Sequence, residues 1–273
     1  MDLSGLAPDG RGLMDHQPHA SAGPMERWRV SRLSLKILRQ MVTQAGPRRA
    51  WGFAWSAARQ ALCGQGLPHT PEVNAALWTH YDWSRRGEEW SDGPDWTASV
   101  VEHLLLPHVP SGSRVLEIGP GAGRWTQYLA PRASRLVVVD VTPRCIELCR
   151  ARFRAFSHLE YVVNNGSDLG FLPPASIDRV WSWDVFIHVG IEDIQGYLIQ
   201  FGRVLVPGGL ALIQHAAAPY ARGWRTAVSA ERMAAFGREA GLEVVRQFAA
   251  WDEGRRRTPT PADLVTVLAK PAA

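Results

Sequence analysis

The stretch EIGPGAG, residues 117–123, constrains this chain more than any other: Glu117, Gly119, Gly121 and Gly123 stand at strict two-residue spacing behind the apolar run of RVLEI. The run reads as a buried strand. Glycine is needed after it where the chain turns sharply with positive φ and where a ligand would collide with a Cβ, while the free amides of a following helix favour an anion. Asp140 ends the next apolar run, RLVVVD, about twenty residues beyond Gly119, where a carboxylate can accept both ribose hydroxyls. This spacing is a nucleoside-binding arrangement. A pyrophosphate-binding GxGxxG loop is a poorer match, because its third glycine falls at Arg124 and because Glu117 would repel a pyrophosphate. Taken singly, Glu117 or Asp140 would also serve as a helix cap; together with three glycines in register they point to a ligand.

Beyond Pro110, strands alternate with helices, the signature of a parallel sheet with helical crossovers. RVLEIG leads to a helix near 122–131. RLVVVD (135–140) leads to a helix with Thr142 as its cap and Pro143 at its first position, where no amide is required. LEYVVNN, IDRVWSWD, a helix from Ile191 to Leu205, GLALIQHA, a helix about 229–240, LEVVRQF and DLVTVLAK follow.

Ahead of this region the pattern differs. Residues 1–24 are rich in Gly, Pro, Ser and His without periodicity and read as a disordered leader. Residues 25–96 read as a helical, Trp-rich extension, and 97–273 as the ligand-binding domain, opening with a helix capped by Thr97. Within the extension, Trp28, Trp51 and Trp55 suit helix packing. HYDWSRRGEEW (80–90) has no clean period and concentrates aromatic and charged residues, so it is either a lid over the cleft or a packed linker.

Composition narrows the function. With 273 residues, 46% of them hydrophobic, the chain can bury a large core. A net charge of +4 is too slight for a nucleic-acid footprint, and the run Arg255-Arg256-Arg257 is too short to form a basic face. No apolar run reaches the roughly 18 residues of a membrane span, and the first residues lack the pattern of a signal peptide, so a cytoplasmic location is expected. Cys63, Cys145 and Cys149 form no CxxC pair and read as reduced thiols, with Cys145 and Cys149 on a helix face that packs on the sheet. No His, Cys, Asp and Glu cluster has metal-ligand spacing.

The motif EIGPGAG, with Asp140, NNGSDL (164–169), WSWDVFIHV (181–189) and RVLVPGGLALI (203–213), resembles the class I S-adenosylmethionine-dependent methyltransferases over roughly residues 100–270. The resemblance implies an α/β, Rossmann-like seven-stranded sheet, mostly parallel with an antiparallel last strand and flanking helices. It implies S-adenosyl-L-methionine as cofactor, contacted by Glu117, Gly119, Pro120, Gly121, Gly123, Asp140, Val141, Thr142, Asn165, Gly166, Ser167 and Trp183. Asn165 stands where the family usually offers an aspartate, with Asp168 three residues on; either meets the adenine amino group, or both only form the turn.

A sulfonium methyl is already electrophilic, so the remaining tasks are to align the acceptor and manage its proton. His188 and His215 follow the fourth and fifth strands, at the carboxyl edge where open α/β sheets bind ligands, and are the candidate bases. Asp184 would face His188 if the chain were helical from Val185 onward. Either histidine would otherwise be a cap or a buried core residue. The expected activity is methylation of a hydroxyl, or of an amine, on a small metabolite such as a sugar or natural product, with no membrane or nucleic-acid partner and an unassigned oligomeric state. The alternatives are an RNA-modifying methyltransferase and a nucleoside-binding protein without catalysis.

Overall fold

The computed structural model describes residues 69–217, 225–258, 260 and 262–272. The expected leader, Trp28, Trp51, Trp55 and Cys63 lie outside these residues.

Helix α1 (Pro71–His80) opens on Thr70, whose hydroxyl accepts from the Val73 amide, with Pro71 at its first position. Two 3₁₀ turns, Trp83–Arg85 and Glu88–Trp90, carry the chain to α2 (Pro94–Val100), which continues through a π-helical turn, Val101–Leu105, to His108. The expected cap at Thr97 is not used. The helix starts a turn earlier because Pro94 sets the first helical φ, and the Thr97 hydroxyl, inside the helix, donates to Ser91 Oγ at 3.0 Å.

Strands β1 (Arg114–Ile118), β2 (Arg135–Asp140), β3 (Leu159–Val163) and β4 (Ile177–Ser182) are joined by α3 (Thr126–Leu129), α4 (Pro143–Arg152) and a loop. Then come α5 (Ile191–Val204), β5 (Leu205–Ala216), α6 (Ala230–Glu239), β6 (Glu243–Phe248), the small hairpin β7 (Ala250–Trp251) and β8 (Arg256–Arg257), and β9 (Asp263–Ala269). Helix α3 is shorter than the span 122–131, because residues 120–125 are spent on the turn that the glycines make.

Seven strands form one sheet in the order β3-β2-β1-β4-β5-β9-β6, with β9 antiparallel to both neighbours and the remaining pairs parallel. This is the Rossmann-like sheet that the motifs implied. Strand side chains alternate, and both faces are covered. Val115, Leu136, Val138, Trp181 and Val267 pack with Trp96, Leu105 and Cys149 on one face, while Leu116, Val137, Val139, Val180 and Ile213 pack with Leu198, Phe201 and Met233 on the other. A strand buried on both faces has no polar alternation, which is why RVLEI and RLVVVD read as apolar runs. Cys145 and Cys149 are buried thiols, as their helix face suggested.

The order reverses between β1 and β4: from β1 the chain builds outward through β2 and β3, then returns to place β4 on the other flank. Loops leaving β1 and β4 therefore diverge to opposite faces and leave a crevice between them. That crevice positions the site.

Candidate functional site

Three glycines leave β1 in the left-handed region, with φ of 70° at Gly119, 57° at Gly121 and 86° at Gly123. Gly121 shows the need for this most directly. A Cβ there would stand 2.6 Å from the Trp83 ring, so a side chain is barred by conformation and by contact together. Gly119 and Gly121 line a cleft of about 840 Å³, open to solvent, with Pro120, Asp140, Val141, Gly166 and Trp183.

Asp140 ends β2, and its Oδ1 accepts from the Thr142 amide at 2.8 Å. Burial pushes this carboxyl up to about 6 against the pull of amide donors including Thr142 and Gly121. Thr142 holds the cap position of α4 without capping through its side chain. Glu117 is 1% exposed beneath the loop. Its Oε2 accepts from the Thr126 hydroxyl at 2.7 Å, while Oε1 has no hydrogen-bond partner among the described residues. Burial pushes Glu117 up to about 8, opposed chiefly by the Thr126 hydrogen bond. These features fit an adenosyl amino acid: a side-chain-free bend, an acid at the end of β2 for the ribose, and a buried carboxylate with an orphaned oxygen for an ammonium.

The loop after β3 is folded by its own side chains. Asn165 Oδ1 accepts from the Asp168 amide at 3.2 Å and Asp168 Oδ1 from the Gly170 amide at 2.7 Å, which are turn-forming bonds. Gly166 of this loop lines the cleft beneath Pro71, Asn165 is exposed and Ser167 faces Gly196 of α5.

Beyond β4 the chain is not helical from Val185. Asp184 adopts φ of 59°, a conformation that cannot begin a helix, the His188 amide closes a turn on the Val185 carbonyl, and α5 waits until Ile191. Asp184 consequently pairs with Arg124, whose Nη1 donates to Oδ2 at 2.7 Å, rather than with His188. Burial raises the Asp184 carboxyl and the Arg124 guanidinium opposes that rise. Its backbone is held too: the Asp184 amide donates to Gln214 Oε1 at 2.8 Å, Gln214 Nε2 donates to Asp263 at 2.7 Å, and Asp263 pairs with Arg225.

The two histidines part company. His188 lines the cleft, its ring centroid 5.3 Å from that of Trp78, and its carbonyl accepts from Asn74 Nδ2 at 2.9 Å. His215 lies within β5 rather than after it, because β9 pairs along β5 as far as Ala216. It is fully buried with Nε2 2.8 Å from Thr266 Oγ1, burial holds its ring down at about 4, and it does not line the cleft.

Residues 69–91 form the opposite wall. Trp78, Tyr81, Trp83 and Trp90 make one cluster with centroids 4.9 to 5.9 Å apart. It is fastened to the glycine loop by Arg124 Nη2 donating to Ser91 Oγ at 2.6 Å and by Gln127 Nε2 donating to Glu88 at 3.3 Å. Arg124, Asn74 and Trp78 were not singled out as site residues in the sequence. Their role depends on contacts across 33 to 114 positions of chain, such as Arg124 to Ser91 and Asn74 to His188, which leave no local signal. Among the described residues no group of three His, Cys, Asp or Glu side chains gathers as a metal site, and no helix is long and apolar enough to cross a membrane.

Comparison with known proteins gives the same picture. Residues 115–209 match the family model of a methyltransferase domain. A demethylmenaquinone methyltransferase of Tropheryma whipplei (strain Twist) is 33% identical over 105 residues, covering 38% of this chain and 42% of that protein. Nodulation protein S of Rhizobium tropici is 30% identical over 158 residues, covering 57% of this chain and 66% of its own length. The chain thus spans about two fifths of the length of the first relative and nearly two thirds of the second. In fold, it superposes on the N-methyltransferase NodS of Bradyrhizobium japonicum WM9, a structure in complex with S-adenosyl-L-homocysteine, with a TM-score of 0.56 at 23% identity, covering 71% of this chain and 96% of that one. Glycine loop, sheet order, strand-end acid and matched domain together identify residues 115–209 as a methyltransferase domain within a fold of the class I S-adenosylmethionine-dependent type, with S-adenosyl-L-methionine as its cofactor.

Proposed function

We propose that this protein transfers a methyl group to a hydroxyl of a small molecule, with an amine as the second acceptor class. The carrying observation is that one cleft is lined both by Gly119, Gly121 and Asp140 and by His188 and Asp184. Bound S-adenosylmethionine supplies an electrophilic methyl on a sulfonium. The chain's own residues do the rest. Asp140 receives the ribose hydroxyls, and Glu117, with its unpaired oxygen, receives the ammonium. Val141 and Gly166 border the nucleoside, with Pro120 and Trp183 along its amino-acid end, whereas Thr142, Asn165 and Ser167 do not line the cleft and support it from behind. His188 takes the proton of an acceptor hydroxyl at its imidazole, while Asp184, fixed by Arg124, orients the acceptor. The cluster of Trp78, Trp83 and Trp90 acts as a lid that excludes water and offers aromatic faces to the sulfonium charge. His215 has no place in this scheme, since it does not reach the cleft.

The relatives support a small acceptor, one being named for demethylmenaquinone. The amine reading is favoured by NodS, named an N-methyltransferase. The test is to incubate the protein with S-adenosylmethionine and paired hydroxyl and amine acceptors and to look for methylated products by mass spectrometry. A hydroxyl acceptor should be methylated, and His188→Ala should lower kcat for it by about a hundredfold. Binding of S-adenosylhomocysteine without any methylated product would favour the non-catalytic alternative. Salt-dependent RNA binding in a gel shift would favour the RNA-modifying one.

A further inference from the structure

Helix α1 lies outside the matched residues 115–209, yet Pro71, Asn74 and Trp78, spaced three and four positions apart on one helical face, all line the cleft. Asn74 is 7% exposed. Its Nδ2 donates to the Thr70 carbonyl at 3.2 Å and to the His188 carbonyl at 2.9 Å, which fixes the amide, because a flip would set Oδ1 against two carbonyl oxygens. Oδ1 then has no hydrogen-bond partner among the described residues. A buried acceptor without a donor is costly, and a ligand in the cleft can supply that donor.

The surroundings identify the part of a ligand that comes there. From the glycine bend after β1, through Asp140 on β2, to Gly166 beyond β3, the cleft follows three adjacent strands. The last two are joined at their ends, the Asn164 amide donating to the Asp140 carbonyl at 3.1 Å, so a nucleoside with its ribose at Asp140 directs its base to Gly166. Helix α1 rests on that loop: a Cβ at Gly166 would stand 2.5 Å from Pro71 Cγ and 3.7 Å from Asp193 Oδ1. The loop's own acceptors are spent. Asn165 Oδ1 takes the Asp168 amide, Asp168 Oδ1 takes the Gly170 amide, and neither residue lines the cleft. Asn74 Oδ1 and the Asp193 carboxylate both accept, so this part of the cleft suits a group that donates, and adenine carries one in its exocyclic amine.

We propose that Asn74, from the extension ahead of the matched domain, accepts a hydrogen bond from the exocyclic amine of the cofactor's adenine, a role that the loop after β3 does not fill in this chain. The extension is thereby part of base recognition and not only a wall over the acceptor. This rests on the nucleoside placement proposed above.

The experiment is calorimetric titration of the full chain with S-adenosylhomocysteine, with its 6-deamino analogue, which lacks only the amine, and with its 6-oxo analogue, S-inosylhomocysteine. S-adenosylhomocysteine should bind at least about tenfold more tightly than the 6-deamino compound, and the 6-oxo compound, which sets an oxygen against Asn74 and Asp193, should be weakest. Asn74→Leu should weaken S-adenosylhomocysteine about tenfold and shift the 6-deamino compound by less than about twofold, whereas a merely structural role would weaken both alike. Equal affinity for the amine and its deamino analogue in the unaltered protein, parallel weakening of both in the folded variant, or full affinity in that variant overturns the proposal. Should Asn74→Leu not fold, the ranking of the three compounds on the unaltered protein decides it alone. Failure to bind any of the three sinks the nucleoside placement itself, and the proposal with it.

Discussion

The wall of the cleft formed by strand ends and the wall formed by residues 69–91 are held by different kinds of contact. On the strand side, Gly119, Gly121 and Asp140 sit at the ends of β1 and β2, strands paired in register from Arg114 with Arg135 to Ile118 with Val139. Their positions follow from the sheet. On the other side, Trp78, Trp83 and Trp90 pack on one another and are fastened by single side-chain bonds, Arg124 to Ser91 and Gln127 to Glu88. The difference teaches that the strand wall is rigid because ladders of backbone bonds fix it, while the aromatic wall depends on a few side chains and can change without disturbing the sheet.

The point where the two walls touch gives the largest expected effect. Gly121→Ala places a Cβ at positive φ and against Trp83, and it should weaken S-adenosylhomocysteine binding about a hundredfold in calorimetry. Adding Trp83→Ala relieves the ring contact but not the backbone strain, so it should restore about tenfold. No restoration would mean that the walls do not meet in solution.

A smaller loss is expected from the strand wall alone. Asp140→Asn keeps the shape but removes the charge from the proposed hydrogen bonds to ribose, and it should weaken cofactor binding by about ten- to thirtyfold without lowering the melting temperature. An unaltered affinity would take Asp140 out of the nucleoside site.

The smallest effect is on stability. Burial raises Glu117 from 4.5 to about 8 in the folded protein, so the fold prefers the protonated acid. Its contribution is full below about pH 4.5 and is lost as the pH rises through about 8. Asp140, raised from 3.8 to about 6, adds a loss of the same sign in a lower window. Glu117→Gln should therefore keep the lower slope, lose the upper one, and melt about 3 °C or more above the unaltered protein beyond pH 8. Equal melting curves from about pH 5 to about pH 9 would place the carboxyl in water rather than under the loop.

Much of the strand wall was legible because its signals are local. The spacing of Glu117, Gly119, Gly121 and Gly123 records a bend within seven residues, and Thr142-Pro143 marks the start of α4. The reading failed where one residue's place depended on a distant one. Thr97 looked like a cap until Pro94 started the helix earlier. Asp184 looked like a partner for His188 until its positive φ turned it to Arg124. His215 looked like a strand-end base until pairing with β9 carried the strand past it.

By itself the sequence determined the parallel sheet, the glycine bend and the acid at the end of β2, because periodicity, backbone freedom and spacing are properties of neighbouring residues. Only the tertiary structure decided that His188 and not His215 opens on the cleft. It alone decided that Arg124 binds Asp184 across 60 positions, and that Trp83 closes over Gly121. Those outcomes are set by which buried charges find partners and which aromatic faces find each other once the chain has collapsed.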